Sequence, residues 1–430
     1  MKKSLLLCVC LLAAQRIIAQ TPSPLLSAAT KTAVVTRLQK ALTDHYVFLD
    51  TARNMGNYVS QRLQSGAYNT LTTPDEFSQA LTADLRHIYR DMHLNIYFDS
   101  LFAASLEDTT RHTPPSDTPD GGDQNYGFRK IELLHGNVGY ILLDGFHEPT
   151  PAAKGTVQAV FNTLRHCNAL VLDLRFNGGG SPDMVQYICS FLLPPNTHIN
   201  DLYQRRNNTT ERFYTLPVDS SHYFENIPVY VLTSHRTFSA AEECSYNLQT
   251  QHRVTLVGDT TGGGAHPVAP VTIGHGFIGN IPYARAINPV TLKNWEGTGV
   301  APDINVAAST ALDAALLHYY NTQLRTAKDA ARIRKLQWAK DLTVARIYPP
   351  QLDSATLKAY TGHFDEREVT YANGQLYILR NGQQQQLLPL SATTFKLADY
   401  DYVKLTFSKQ AQEIIYEYDD GFTTVVKRKD

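Results

Sequence analysis

The sequence predicts an α/β fold with a helical segment ahead of it and a small antiparallel β-domain behind it, on three observations. Between residues 127 and 325, short apolar runs alternate with helical patterns and glycine turns, the order of a layered α/β structure whose functional groups gather at the turns. Residues 25–100 carry apolar residues at helical spacing. Residues 350–430 hold three hairpin signals, Asn373-Gly374, Asn381-Gly382 and Asp420-Gly421, between runs rich in Tyr, Val, Ile and Phe.

In the helical segment, Val34, Val35, Leu38 and Leu42 share one face, and a second helix runs from Thr51 to a stop at Gly66. Thr73-Pro-Asp-Glu76 is a capping box with proline at the first helical position, followed by Phe77, Leu81, Leu85 and Ile88. That helix ends near Arg90 and delivers Asp91, Met92 and His93 into a turn before the extended run Leu94 to Phe98. Residues 101–126, rich in Pro, Asp and Gly, read as a linker too short to hold an inserted peptide-binding domain.

In the core, the apolar run before Arg175 leads into Gly178-Gly179-Gly180, and the run Val254 to Val257 leads into a second triplet, Gly262 to Gly264. Between them, the β-branched run Val229 to Thr233 precedes a sharp turn into a helix at Ser239. A serine there lies beside free N–H groups and the positive end of a helix dipole, which suits a nucleophile. Ser239-Ala-Ala-Glu242 is equally an S-x-x-E capping box, and the segment alone leaves both readings open. Neither triplet has a neighbouring lysine or nucleotide-loop spacing, so phosphate cradling is set aside. Asp173 and Arg175 read as a structural brace, and Tyr140, Phe146 and Trp295 as core or cleft residues.

Composition narrows the function classes. A chain of 430 residues with 43% hydrophobic and 18% charged residues has material for packed cores, and a net charge of −1 gives no support to nucleic acid as a partner. The 15 histidines form no H-E-x-x-H pattern and the cysteines no paired spacing, so neither a metal nor another cofactor is expected. Cys167, Cys189 and Cys244 read as buried thiols. Residues 1–19, with Lys2 and Lys3 ahead of the apolar run Leu5 to Ala14, read as a signal peptide cleaved after Ala19. The mature chain is then expected to be exported, periplasmic or extracellular, without a transmembrane segment; Cys8 and Cys10 lack the context of a lipoprotein anchor.

Four motifs in order over roughly 130 residues make a resemblance specific: Leu172-Asp-Leu-Arg-Phe-Asn-Gly-Gly-Gly180, Thr237-Phe-Ser-Ala-Ala-Glu242, Val257-Gly-Asp-Thr-Thr-Gly-Gly-Gly264 and Asn294-Trp-Glu-Gly-Thr-Gly-Val-Ala-Pro-Asp303. With Asp91-Met92-His93 they resemble the C-terminal-processing (tail-specific) serine peptidases over about residues 25–325. No lysine follows the second glycine turn, so the chain resembles the histidine-dependent branch of tricorn protease and the interphotoreceptor retinoid-binding protein, not the Ser/Lys branch. The resemblance implies a ClpP/crotonase-like core and a serine endopeptidase acting on polypeptide. It also implies Ser239 as nucleophile, His93 as base and Glu296 as the acidic end of the relay. The N–H of Ala240 and one from Gly178 to Gly180, foremost Gly179, would form the oxyanion hole. The C-terminal domain resembles lipocalin-like modules.

Met92 stands where that branch has a serine linking histidine to glutamate, and a thioether cannot make that link. Either Glu296 or Asp91 then orients His93 directly, or hydrolysis is weak or lost. His266 is the alternative base, and a ligand-binding protein or an esterase-type acyl hydrolase on the same scaffold are the alternative functions.

Overall fold

The computed structural model describes residues 25–107, 121–218, 224–380 and 382–429. The expected signal peptide, Cys8, Cys10, residues 108–120 of the expected linker and Asn381 lie outside these.

Three helices begin the chain, α1 (Ala28–His45), α2 (Leu49–Gln64) and α3 (Pro74–Ile88). Val34, Leu38, Leu42, Met55, Phe77 and Leu81 meet in one buried core, as their helical spacing requires. The predicted capping box forms at α3, with Thr73 Oγ1 accepting the Glu76 N–H at 3.3 Å and Glu76 Oε2 accepting the Thr73 N–H at 3.1 Å. Strand β1 (Asn95–Phe98) follows, then helix α4 (Ser100–Glu107), so the expected linker begins as a helix.

The central elements are β2 (Phe128–Leu134), β3 (Val138–Leu143), α5 (Pro151–Thr163), β4 (Ala169–Asp173), α6 (Pro182–Cys189), β5 (His198–Gln204), β6 (Thr209–Tyr214), β7 (Val229–Thr233) and α7 (Ala240–Thr250). They continue with β8 (Thr255–Gly258), β9 (Val268–Gly274), β10 (Phe277–Pro282), β11 (Ala284–Ile287), β12 (Ile304–Asn305), α8 (Ala311–Thr326) and α9 (Ala330–Ile347). Six strands form one sheet in the order β12-β8-β7-β4-β3-β2, parallel except for β2. Every residue of β4 and β7 is buried, which is why both read as unbroken apolar runs. Helices α5, α6 and α7 cover one face through Phe161, Val185 and Leu248. Helices α8 and α9 cover the other through Leu316, Tyr319 and Leu336.

The hairpin β9–β10 leaves this sheet. It pairs with β1 in the order β1-β10-β9, and Ile273, Phe277 and Ile281 pack in the core of the N-terminal helices. Sequence order assigned this hairpin to the 127–325 core; pairing with β1, some 180 residues away in the chain, is not visible in a local pattern. A third sheet has the order β11-β5-β6.

After helix α10 (Ser354–Ala359), eight antiparallel strands run in sequence order from β13 (Gly362–Phe364) to β20 (Thr423–Lys427). A bridge between Phe364 and Arg428 brings the ends together in a nearly closed barrel. The barrel docks on α9, where Lys404 Nζ sits 4.1 Å above the Trp338 ring and 2.8 Å from Asp341, and Trp338 Nε1–H donates to Asp401 O at 2.7 Å. Among the described residues no helix is long and apolar enough to cross a membrane, and Cys167, Cys189 and Cys244 are buried free thiols.

Candidate active site

The parallel strands β3, β4, β7 and β8 end side by side, and their connections are stitched together. Asn177 Nδ2–H donates to Leu143 O (3.1 Å) and Thr237 Oγ1–H to Leu174 O (2.8 Å). The Phe238 N–H donates to Asn177 O (3.1 Å) and the Gly262 N–H to Thr237 O (3.0 Å). Asp173 accepts from Arg175 Nε (2.9 Å) and from the Tyr140 hydroxyl (2.7 Å), while Arg175 Nη1 reaches Ala308 O at 2.6 Å; this pair braces the first glycine turn from below. Tyr140, Phe146 and Trp295 are buried in the cores.

Ser239 occupies the step from β7 into α7 with φ +56° and ψ −123°, a conformation that costs a non-glycine residue about 1–3 kcal/mol. The Ser239–Glu242 capping box forms, with the Ser239 N–H donating to Glu242 Oε2 at 2.9 Å. Glu242 also accepts the N–H groups of Gly263 (2.7 Å) and Gly264 (2.8 Å) and the Thr261 hydroxyl (2.5 Å). Burial pushes its carboxyl up, and these bonds oppose the shift. The first glycine triplet touches the serine: a Cβ on Gly179, whose φ is +107°, would lie 2.8 Å from Ser239 Cβ and 3.0 Å from Ala240 N. The Gly179 N–H is already given to Asn177 Oδ1 at 2.9 Å. Ala240 opens α7, where backbone N–H groups lack intrahelical partners.

Against the same edge lies a buried cluster built from the turn between α3 and β1, the residues before β9 and the loop after β11. The β1–β10 pairing sets Asp91 and His93, just before β1, beside His266, just before β9. Fully buried Asp91 accepts the His93 backbone N–H on Oδ1 (3.1 Å), and on Oδ2 it accepts the Tyr46 hydroxyl (3.1 Å) and meets His266 Nδ1 (2.8 Å). Glu296 Oε2 accepts the Ala265 N–H at 2.6 Å and lies 3.4 Å from His266 Nδ1. Donor atoms of Asp91, His93 and Glu296 lie within 4.8 Å of one another, small enough for a cation. Two buried atoms there lack hydrogen-bond partners, His93 Nδ1 and Glu296 Oε1, and these are a complementary donor and acceptor. Burial holds the His93 imidazole down to about 4, with Asp91 opposing, and pushes the Glu296 carboxyl up to about 7, with His266 opposing.

The His93 ring packs on Phe238, the residue before Ser239, with centroids 4.5 Å apart, and a Cβ on Gly264 would come 2.6 Å from His93 Cε1. The fold thus gathers Ser239, Ala240, Gly179, His93, Glu296 and His266 at one edge, with no hydrogen bond among the described residues joining Ser239 to His93. Met92 is 38% exposed and lies outside the cluster. Sequence reasoning missed Glu242 as the anchor of the second glycine turn, because S-x-x-E spacing already explained it as a cap. It also missed Asp91 as the hub between the histidines.

Turns gathered at the carboxyl ends of parallel strands are where α/β folds place their functional groups, and Ser239 stands there in a strained conformation at a helix N-terminus. The description "Peptidase family S41" matches residues 137–306, and "N-terminal domain of Peptidase_S41 in eukaryotic IRBP" matches residues 17–124. The two matches follow each other along the chain, an N-terminal domain described for the family and then the S41 peptidase-family domain, in the order in which the helical segment precedes the α/β core. Solved structures similar to it include a candidate S41 protease from Bacteroides fragilis, 24% identical, covering 51% of this chain and 58% of that one (TM-score 0.37). A candidate peptidase from Parabacteroides merdae is 21% identical and covers 70% of this chain and 98% of that one (TM-score 0.48). Tricorn protease is 13% identical, covering 66% and 35% (TM-score 0.40). The chain thus spans little more than half of the Bacteroides fragilis protein.

Proposed function

We propose that the protein is an exported serine endopeptidase that cleaves polypeptide through an acyl-enzyme on Ser239, with His93 as general base and Glu296 as its orienting acid. One observation carries the reading: His93 Nδ1 and Glu296 Oε1 are both buried and unpaired on neighbouring side chains. A proton on Nδ1 directed at Glu296 leaves Nε2 with the lone pair that the Ser239 hydroxyl needs. The low pKa of His93, set first by burial, keeps that imidazole neutral at pH 7.

As Ser239 Oγ attacks the peptide carbonyl, its proton passes to His93 Nε2 and the oxyanion faces the Ala240 N–H. The second donor comes from the turn at 178–180. Because Asn177 Oδ1 holds the Gly179 N–H, either Gly178 or Gly180 takes that part, or Asn177 releases Gly179. His93 then protonates the leaving amine, and water activated by the same nitrogen frees the acyl group. Lys2, Lys3 and the apolar run that follows support export.

The lack of a Ser239–His93 hydrogen bond favours one rival, a non-catalytic binding protein on this scaffold, although such bonds also tighten only with substrate. Labelling with a serine-directed fluorophosphonate decides between them. Wild type should label at Ser239 and hydrolyse unfolded polypeptide, while Ser239→Ala and His93→Ala should do neither. Unchanged turnover in folded Ser239→Ala protein would overturn the assignment.

A further inference from the structure

His266 is buried to 1% exposure, its ring edge-on to Phe48 at 5.5 Å, and its Nδ1 is the only ring nitrogen among the described residues that faces two carboxylates at once. Asp91 Oδ2 is 2.8 Å away and Glu296 Oε2 is 3.4 Å away. Both are acceptors, and Glu296 Oε2 already takes the Ala265 N–H, so the network assigns the proton to His266 Nδ1. That tautomer leaves the lone pair on Nε2, and no hydrogen bond among the described residues joins this nitrogen to Ser239.

We propose that His266 is a positioning residue: through Nδ1–H it clamps Asp91 to Glu296, supplying the link between the D-x-H turn and the glutamate that Met92 cannot make. This rests on the reading of Ser239 and His93 given above. Asp91 Oδ1 fixes the His93 backbone, and Glu296 Oε2 is fixed by Ala265 and His266, which leaves Glu296 Oε1 for His93 Nδ1. The clamp thus sets both the height and the rotation of the His93 ring. It also separates two buried carboxylates by a donor, where direct contact would force one of them to stay protonated. The titratable groups around it are Asp91, His93, Tyr46, Tyr89 and Glu296, with Glu242 behind the glycine turn.

Asparagine and glutamine separate this role from packing. The side-chain amide of Asn reaches the position of an imidazole Nδ1, and that of Gln the position of Nε2. The rate of fluorophosphonate labelling at Ser239, followed from pH 5 to 9, should fall roughly 10²–10³-fold in His266→Gln, with a displaced pH midpoint. In His266→Asn it should stay within about tenfold of wild type with the midpoint kept. Hydrolysis of unfolded polypeptide should lose kcat and keep KM. Equal losses in both variants at matched thermal midpoints, or a wild-type rate and midpoint in His266→Gln, would overturn the clamp. A second readout needs no activity: in Ser239→Ala protein the His266 Nδ1 proton should appear far downfield by NMR and vanish in the Asp91→Asn background, and its absence in Ser239→Ala would also overturn the clamp. If Ser239→Ala still turns over substrate, the nucleophile assignment fails while this resonance still judges the clamp.

Discussion

The Glu242 carboxylate accepts the Gly264 N–H at 2.8 Å, so the helix that begins behind Ser239 also holds the second glycine turn. Its other bonds, from Ser239, Gly263 and Thr261, leave no oxygen for a solvent contact. Glu242→Gln turns an amide NH2 toward backbone donors and should cost about 2–4 kcal/mol, read as a lower urea midpoint with an unchanged slope. A wild-type midpoint would mean that the turn is held by other contacts.

Stability against pH should change shape in Glu296→Gln. The folded Glu296 carboxyl is raised to about 7 by burial, so the native protein binds more protons than the unfolded chain between about pH 4.5 and 7, and Glu296 lowers stability as pH rises through that window. His93 is held down to about 4, so the unfolded chain binds more protons between about pH 4 and 6.5, and its contribution rises with pH there. In wild type the two slopes oppose each other. In Glu296→Gln the His93 slope remains, up to about 1.4 kcal/mol per pH unit, and urea unfolding at pH 4.5, 5.5 and 6.5 should reveal it. Identical pH curves for the two proteins would refute this.

Met92→Ser should leave activity within about threefold of wild type, the scale of a surface change. The Met92 side chain is exposed, and its carbonyl is held by Arg86 Nη2 at 2.8 Å, so a serine hydroxyl there does not enter the path from Glu296 to His93. A tenfold rise in kcat would show that the turn can rotate to admit the hydroxyl.

Trp338→Ala removes the ring beneath Lys404 and the donor to Asp401. Loss of a buried tryptophan costs about 3–5 kcal/mol, and here it falls on the seam between α9 and the barrel. Calorimetry should resolve an early barrel transition, with Ser239 labelling retained below it. A single undivided transition would indicate that the barrel and core unfold together regardless of this seam.

Much of the fold was legible because local patterns carried it. The box at Thr73, the buried runs of β4 and β7 and the glycine hairpins of the barrel each fix an element from neighbours in sequence. The motifs around Ser239 likewise pointed to one edge of the sheet. What escaped were relations set by tertiary pairing: the hairpin at 268–282 joining the first helices, Glu242 reaching across to Gly263, and His266 turning inward to Asp91. A histidine beside a glycine turn looks the same in sequence whether it faces a substrate or a buried acid.

The joining of β1 to β10 carries a consequence for timing. Asp91 and His93 emerge early in synthesis, yet the strand that seats them lies at Phe277–Pro282, and Glu296 follows later still. Contacts of such long sequence separation form slowly and only after the intervening chain is present. The nascent chain therefore has no assembled His93 cluster until most of its length has been made, so Ser239, already synthesised, meets that cluster only afterwards.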